Sequence, residues 1–290
     1  MRGFLTFGVY RILGELVGRL PAKAGYWLAG WTSWLFYLFS PQLRLALEDN
    51  IRHVVEPGAD DAQVESLVRQ SCENILKGHY DLFRLEHLTA QEIGDLLHVE
   101  GWENLDAALE TGLGAIIFSA HLGNVDLVMQ FATLRGIQAV APVQRIEPER
   151  LFQYTLRLRT SHGIKLIPTD EPMIGLFRKL RAGGVIGLAA DRDVADSSME
   201  VDFFGTPTRL PDGPVRISLR TGAPLVPAFS IRLPDNSFQV LIEPALDLQR
   251  TEDREADVMA GMKMVVAAME RRIAQHPEQW LVTQRIWPES

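Results

Sequence analysis

One cysteine among 290 residues, Cys72, has nothing to pair with, which excludes an internal disulfide framework and a thiolate zinc cage. Positive charge is scarce. Lys and Arg number 29 against 37 Asp and Glu, a net charge of −8, so no global positive field draws in nucleic acid. Internal repeats and low-complexity linkers are absent, and a hydrophobic content of 47% excludes disorder as the main state and suffices for a sizeable core. Nor is there a hydrophobic run of membrane-spanning length. Residues 24–40 form a charge-free stretch of 17 residues. As a helix it is about 25 Å long at about 1.5 Å per residue, short of a hydrocarbon core of about 30 Å. No small-x-small cleavage site follows it, so a secretory signal peptide is not expected.

What is there is unevenly spread. Residues 1–50 carry five basic groups (Arg2, Arg11, Arg19, Lys23, Arg44) and three acidic ones (Glu15, Glu48, Asp49), leaving −10 on the remainder. Ten of the 24 aromatics lie within residues 1–40. Trp27, Trp31 and Trp34, at i, i+4 and i+7, share one helical face. Residues 4–20 read as a second helix with Arg11, Glu15 and Arg19 on one stripe, and Pro21 separates the two. Tryptophan favours the headgroup boundary, so residues 1–40 are expected to form a membrane-associating helical hairpin lying on the bilayer. A single span and an ordinary soluble-core hairpin are the alternatives.

Residues 41–55 and 61–84 have helical periodicity, with Gly58-Ala59-Asp60 between them, and Cys72 reads as a small buried apolar residue. From about residue 98 the texture changes to short apolar runs at 115–119, 137–143, 165–168, 184–190, 225–233 and 238–244. Helical stretches near 124–134, 148–161, 172–181, 213–221 and 255–275 separate most of them. Strands alternating with helices predict an α/β domain with a largely parallel sheet over residues 41–290, after a helical lead-in at 41–97. The last two strands, joined through Pro234-Asp235-Asn236, predict an antiparallel hairpin, which makes the sheet mixed.

The informative residues stand where strands end. His121-Leu122-Gly123-Asn124-Val125-Asp126 follows the AIIFS strand, and sites in open α/β sheets form outside the carboxyl ends of strands. His121 can act there as general base with Asp126 as the carboxylate that fixes its tautomer. Taken alone, the pattern fits a capping histidine and a helix-start aspartate equally well. Ser119 points within the strand, so no serine or cysteine nucleophile is expected beside His121, and direct transfer without a covalent enzyme intermediate fits better.

The HLGNVD segment after GLGAIIFSA resembles the H-x-x-x-x-(D/E) signature of the bacterial lipid A late acyltransferases and the related phosphatidylinositol mannoside acyltransferases. Collinear blocks carry the resemblance along the chain: LEDNIRHVV, VEGWENLDAAL, EPERLFQYTLRLRTSHGIKLIP (147–168), Ala190-Asp191-Arg192-Asp193, EVDFFGTP (200–207), RTGAPLVPAFSIR (220–232) and HPEQW (276–280). The aspartate closing the histidine motif, the ADRD block and the EVDFFG segment lean towards the mannoside branch. Val125 departs from the aromatic usual after the asparagine.

The resemblance implies a glycerolipid-acyltransferase-like fold and transfer of a fatty acyl chain from acyl-CoA or an acyl carrier protein to a glycolipid hydroxyl, without a metal or organic cofactor. It assigns His121 as base and Asp126 as its partner, with Glu200 a further acidic residue polarising the same histidine. Candidate substrate contacts are Asn124, Arg145, Asp191, Arg192 and Asp193. Arg145, Arg192 or backbone N–H groups near Asn124 are candidate oxyanion donors. The expected partners are the bilayer and a glycolipid acceptor (a lipid A precursor, a phosphatidylinositol mannoside or another lipid), at the cytoplasmic face of the bacterial inner membrane. A lysophospholipid acyltransferase, an acyl-thioester hydrolase and a catalytically idle membrane-binding protein are the rival readings.

Plainer roles compete for several residues. Asp191 and Asp193 could instead hydrogen-bond neighbouring loops or bind a metal. His53, His79, His87 and His98 read as surface or packing residues, His162 as a helix end and His276 as a cap. Arg150, Arg157, Arg159, Arg178, Lys179 and Arg181 read as a solvated helical face or a docking patch for phosphates, and Trp280 and Trp287 as packing anchors.

Overall fold

The computed structural model describes residues 2–55, 58–192 and 198–287, and the side chains of residues 2–6 and 9 lie outside that description. Seven strands form the central sheet: β1 (Leu97–Glu100), β2 (Ala115–Ser119), β3 (Ala139–Val143), β4 (Lys165–Pro168), β5 (Val185–Ala189), β8 (Leu225–Arg232) and β9 (Phe238–Ile242). Their spatial order is β1-β9-β8-β2-β5-β3-β4. Every neighbouring pair is parallel except the β8–β9 hairpin. The expected mixed, largely parallel sheet is therefore present. Strand β2 sits at its centre between β5 and β8, so its carboxyl end opens above the middle of the sheet.

Side-chain alternation along β2 feeds two cores. Ile116 and Phe118 belong to the core that includes Leu176 and Leu180 of α9 (Ile174–Arg181), Val215 of α10 (Gly213–Thr221) and Met262 and Met269 of α11 (Arg254–Ile273). Ala115 faces the other way, into a core with Ile93 of α5 (Ala90–Asp95), Leu105 and Ala108 of α6 (Trp102–Glu110) and Leu127 of α7 (Val125–Leu134). Strand β8 is buried along its whole length, Ser230 and Arg232 included.

Several elements go beyond the expected ones, helix α6 among them. Strand β1 is a four-residue edge strand whose polar half faces outward. A separate antiparallel hairpin joins β6 (Ser198–Phe203) to β7 (Thr206–Pro211). Its turn, Phe204-Gly205, has φ of 50° and 72°, the left-handed pair that tight hairpins require.

The N-terminal third is helical: α1 (Arg2–Val17), α2 (Ala22–Phe39), α3 (Pro41–Val54) and the long α4 (Asp61–Arg84). Helix α2 lies along α4 with Gly25, Tyr26, Ala29 and Tyr37 buried. Its opposite face leaves Trp27, Trp31 and Trp34 between 56% and 69% exposed and Phe39 at 80%. Among the described residues no helix is long and apolar enough to cross a membrane.

The α2–α4 contact is close because Gly25 has no side chain. A Cβ there would meet the Tyr80 ring at 2.1 Å. Gly25→Ala is expected to lower stability by about 1–3 kcal/mol. Gly78, inside α4 with open space around it, should gain about 0.5–1 kcal/mol on substitution by Ala. Urea midpoints of the two variants check this; equal shifts would contradict the packing.

Candidate active site

Strand β2 ends at Ser119, and the chain turns through Ala120 to Asn124 into α7. Leu122 is fully buried and bridges to Trp280. The Leu281 N–H donates to the His121 carbonyl at 2.8 Å, and the Gly123 N–H donates to the Gln279 carbonyl at 3.3 Å. The C-terminal segment 279–281 thus straps the turn from outside. Gly123 has φ of +63°, and a Cβ on it would meet the Ser230 carbonyl oxygen at 2.2 Å, so only glycine fits. Asn124 caps α7 by accepting from the Leu127 N–H at 3.0 Å.

The His121 imidazole is oriented by Asp191. Asp191 follows β5, the neighbour of β2, by two residues and is fully buried. Its Oδ1 accepts from His121 Nδ1 at 2.7 Å, while Oδ2 accepts from the His121 backbone N–H at 2.7 Å and from Trp280 Nε1–H at 2.7 Å. Burial by itself would raise the Asp191 pKa, but the positive charge His121 can carry and these three donors outweigh it and hold the pKa below the ordinary 3.8. A carboxylate acceptor at Nδ1 leaves the Nε2 lone pair free, on a side chain that is 40% exposed. The arrangement is that of a base held by its carboxylate.

The geometry corrects the expected partner. Asp126 sits in the first turn of α7, and its Oδ1 accepts from Arg159 Nε and Nη2, each at 2.7 Å. Arg159 lies on α8 (Glu149–Arg159), so it is no free member of a solvated face. Glu200 is also displaced from the expected role: it is exposed on β6, opposite Arg209 in the hairpin register, while the His121 Nδ1 bond belongs to Asp191. Arg145, expected to meet substrate, instead bonds three carboxylates, those of Glu149, Asp170 and Glu171. Arg192 donates from Nη2 to Gln144 Oε1 at 2.7 Å, leaving a buried Nε without a partner. Asp193 lies outside the described residues.

Three features of the site were missed from the sequence. Trp280 is a hydrogen-bond donor to Asp191 as well as a packing anchor. Asp81 on α4 is 7% exposed and gathers Tyr26 Oη–H at 2.6 Å, Asn124 Nδ2–H at 3.2 Å and the Arg232 guanidinium. The third is a small cavity of about 50 Å³ between the sheet and helices α6 and α7. Its walls include Trp102, Leu105, Ile117, Met129, Phe131 and Val240. Ser119, two residues before His121, and Val125, four after it, line the same cavity. His121 thus lies on the turn that joins two lining residues, Ser119 and Val125.

The family model of bacterial lipid A biosynthesis acyltransferases matches residues 2–289. The chain belongs to that family. This membership makes it an acyltransferase. It is 31% identical over 248 residues to the phosphatidylinositol mannoside acyltransferase of Mycobacterium tuberculosis (strain H37Rv), covering 83% of this chain and 76% of that protein. It is 28% identical over 246 residues to the phosphatidylinositol mannoside acyltransferase of Mycolicibacterium smegmatis, covering 83% of this chain and 78% of the relative.

A depressed carboxylate pKa stabilises the acyltransferase fold above the unfolded value and is lost as pH falls through the folded one. Asp191→Asn is therefore expected to be less stable than wild type at neutral pH, with the gap narrowing on acidification below about pH 4. Denaturation midpoints against pH measure it, and a gap that stays constant would contradict the assignment.

Proposed function

We propose that this acyltransferase moves a fatty acyl chain from an acyl thioester, acyl-CoA or an acyl carrier protein, to a hydroxyl of a glycolipid resembling a phosphatidylinositol mannoside. The observation that carries the proposal is the His121–Asp191 pair on the turn between Ser119 and Val125, two residues that line the apolar cavity. The cavity takes the acyl chain and leaves its thioester at the rim. His121 Nε2 removes the proton from the acceptor hydroxyl as its oxygen attacks the thioester carbonyl carbon. The carbonyl π pair moves onto oxygen. Collapse of that oxyanion expels the thiolate, which takes the proton from His121, and the products are an ester and a free thiol. Asp191 keeps Nδ1 protonated and stabilises the imidazolium that forms, work usually contributing about 10²–10⁴-fold. A thioester is already activated, so the reading requires no metal or organic cofactor.

The glycolipid acceptor is an amphiphile, so the reaction belongs at a membrane surface. The exposed Trp27, Trp31, Trp34 and Phe39 on α2 provide the face that rests on lipid, at the cytoplasmic side of the inner membrane. The same helix sends Tyr26 inward to Asp81, which also holds Asn124 of the catalytic turn.

His121→Ala is expected to lose at least about two orders of magnitude in transfer, with the fold and vesicle binding retained and the Tm lowered by the loss of one donor to buried Asp191. Activity within about tenfold of wild type would overturn the base assignment. Mass spectrometry of the products decides between transfer and thioester hydrolysis: acylated glycolipid supports the proposal, whereas free fatty acid alone with every acceptor contradicts it. For the lipid-facing helix, replacing Trp27, Trp31 and Trp34 together by Ser should weaken sedimentation with anionic vesicles at least about tenfold, and unchanged sedimentation would place the anchor elsewhere.

A further inference from the structure

The cavity wall changes chemistry as it rises towards His121. On β2 the residues facing it are Ile117 and then Ser119; on the adjacent β8 they are Ala228 and then Ser230. The remaining lining is apolar. Ser119 is 7% exposed and its Oγ is buried with no hydrogen-bond partner. Ser230 is 3% exposed, and its Oγ accepts weakly from the Asn124 N–H at 3.4 Å. That contact leaves the hydroxyl proton of Ser230 uncommitted.

A buried hydroxyl without a partner is costly, because it has given up water and received nothing. Ser119 is such a group, and Ser230 faces the same cavity with only a weak contact from the Asn124 N–H; together they point to an acceptor that arrives with the substrate. Ser230 packs against the turn that carries His121: its Oγ accepts from the Asn124 N–H at 3.4 Å, and a Cβ on Gly123 would meet its carbonyl oxygen at 2.2 Å. Ser119 precedes His121 by two residues. A hydroxyl donor beside the base can serve the oxyanion while the base takes the proton of the attacking oxygen.

We infer that the Ser119 and Ser230 hydroxyls seat the acyl carbonyl oxygen and donate hydrogen bonds to the oxyanion formed when the acceptor attacks. The inference rests on the acyl-transfer reading of this cavity. Neither serine forms a covalent bond: each keeps its proton and polarises the C=O whose π pair moves onto oxygen. Arg145 is unsuited to this role because its guanidinium is already bonded to three carboxylates.

The test is steady-state kinetics with a long-chain acyl-CoA and phosphatidylinositol mannoside, run on wild type, His121→Ala, Ser119→Ala, Ser119→Thr and Ser230→Ala. Each serine-to-alanine variant is expected to lower kcat about 10- to 100-fold, with KM for the thioester within about threefold of wild type. Ser119→Thr, which keeps a hydroxyl, should stand well above Ser119→Ala. The Tm of Ser119→Ala should be unchanged or higher, because alanine removes an unpartnered polar atom; a structural hydroxyl would lower Tm instead. Wild-type kcat in Ser119→Ala and Ser230→Ala, or a change confined to KM, overturns the oxyanion assignment while an inactive His121→Ala leaves the acyl-transfer reading standing. An active His121→Ala overturns that reading and this inference together.

Discussion

A carboxylate with no access to water anchors this molecule's chemistry. Asp191 is held ionised by a ring nitrogen, a backbone amide and an indole, and removing any of them would leave buried charge short of compensation. The three donors come from two separate parts of the chain, the turn after β2 and the C-terminal strap, and all meet a residue two beyond β5. The same contacts that make the charge tolerable fix the rotamer and tautomer of His121. Satisfying one buried charge and preparing one base are a single structural act.

Around that pair the site is layered. Hydrocarbon side chains form most of the cavity wall between the sheet and α6 and α7, the hydroxyl-bearing Ser119 and Ser230 complete it, and the Asn124 N–H beside His121's turn reaches Ser230. An acyl thioester has the same order of polarity from tail to head. The buried cluster of Tyr26, Asp81, Asn124 and Arg232 ties the catalytic turn to α2, whose outer face is a row of tryptophans. Seating that helix and shaping the turn therefore share hydrogen bonds.

Much of the scaffold is legible in the sequence because local signals and burial agree. The helix over 61–84 has its Asp60 cap, and that over 213–221 ends at Gly222 with φ of +85°; both match the expected bounds. Short apolar runs bounded by glycines or, before β9, by Pro234-Asp235-Asn236 marked six of the seven sheet strands. Strand β1 was missed because an edge strand of four residues with a polar half has little periodicity, and β6 because Ser198, Glu200 and Asp202 give its outer face the look of a loop. His121 drew attention by its place at a strand end. Its partner was misassigned because Asp126 is near in sequence, whereas Asp191 is brought close only by the β2–β5 pairing across 70 residues. The Arg159 contact to Asp126 and the Trp280 contact to Asp191 depend on tertiary packing in the same way.

The central claim is that Asp191 fixes His121 as the Nδ1–H tautomer with Nε2 free to act as base. Nitrogen-15 NMR of histidine-labelled protein near neutral pH, with the His121 signals assigned by their loss in His121→Ala, reads this directly. The account predicts a protonated Nδ1 and an unprotonated Nε2 in wild type, with that preference weakened in Asp191→Asn. A predominant Nε2–H tautomer, or a spectrum unaltered by Asp191→Asn, would contradict it.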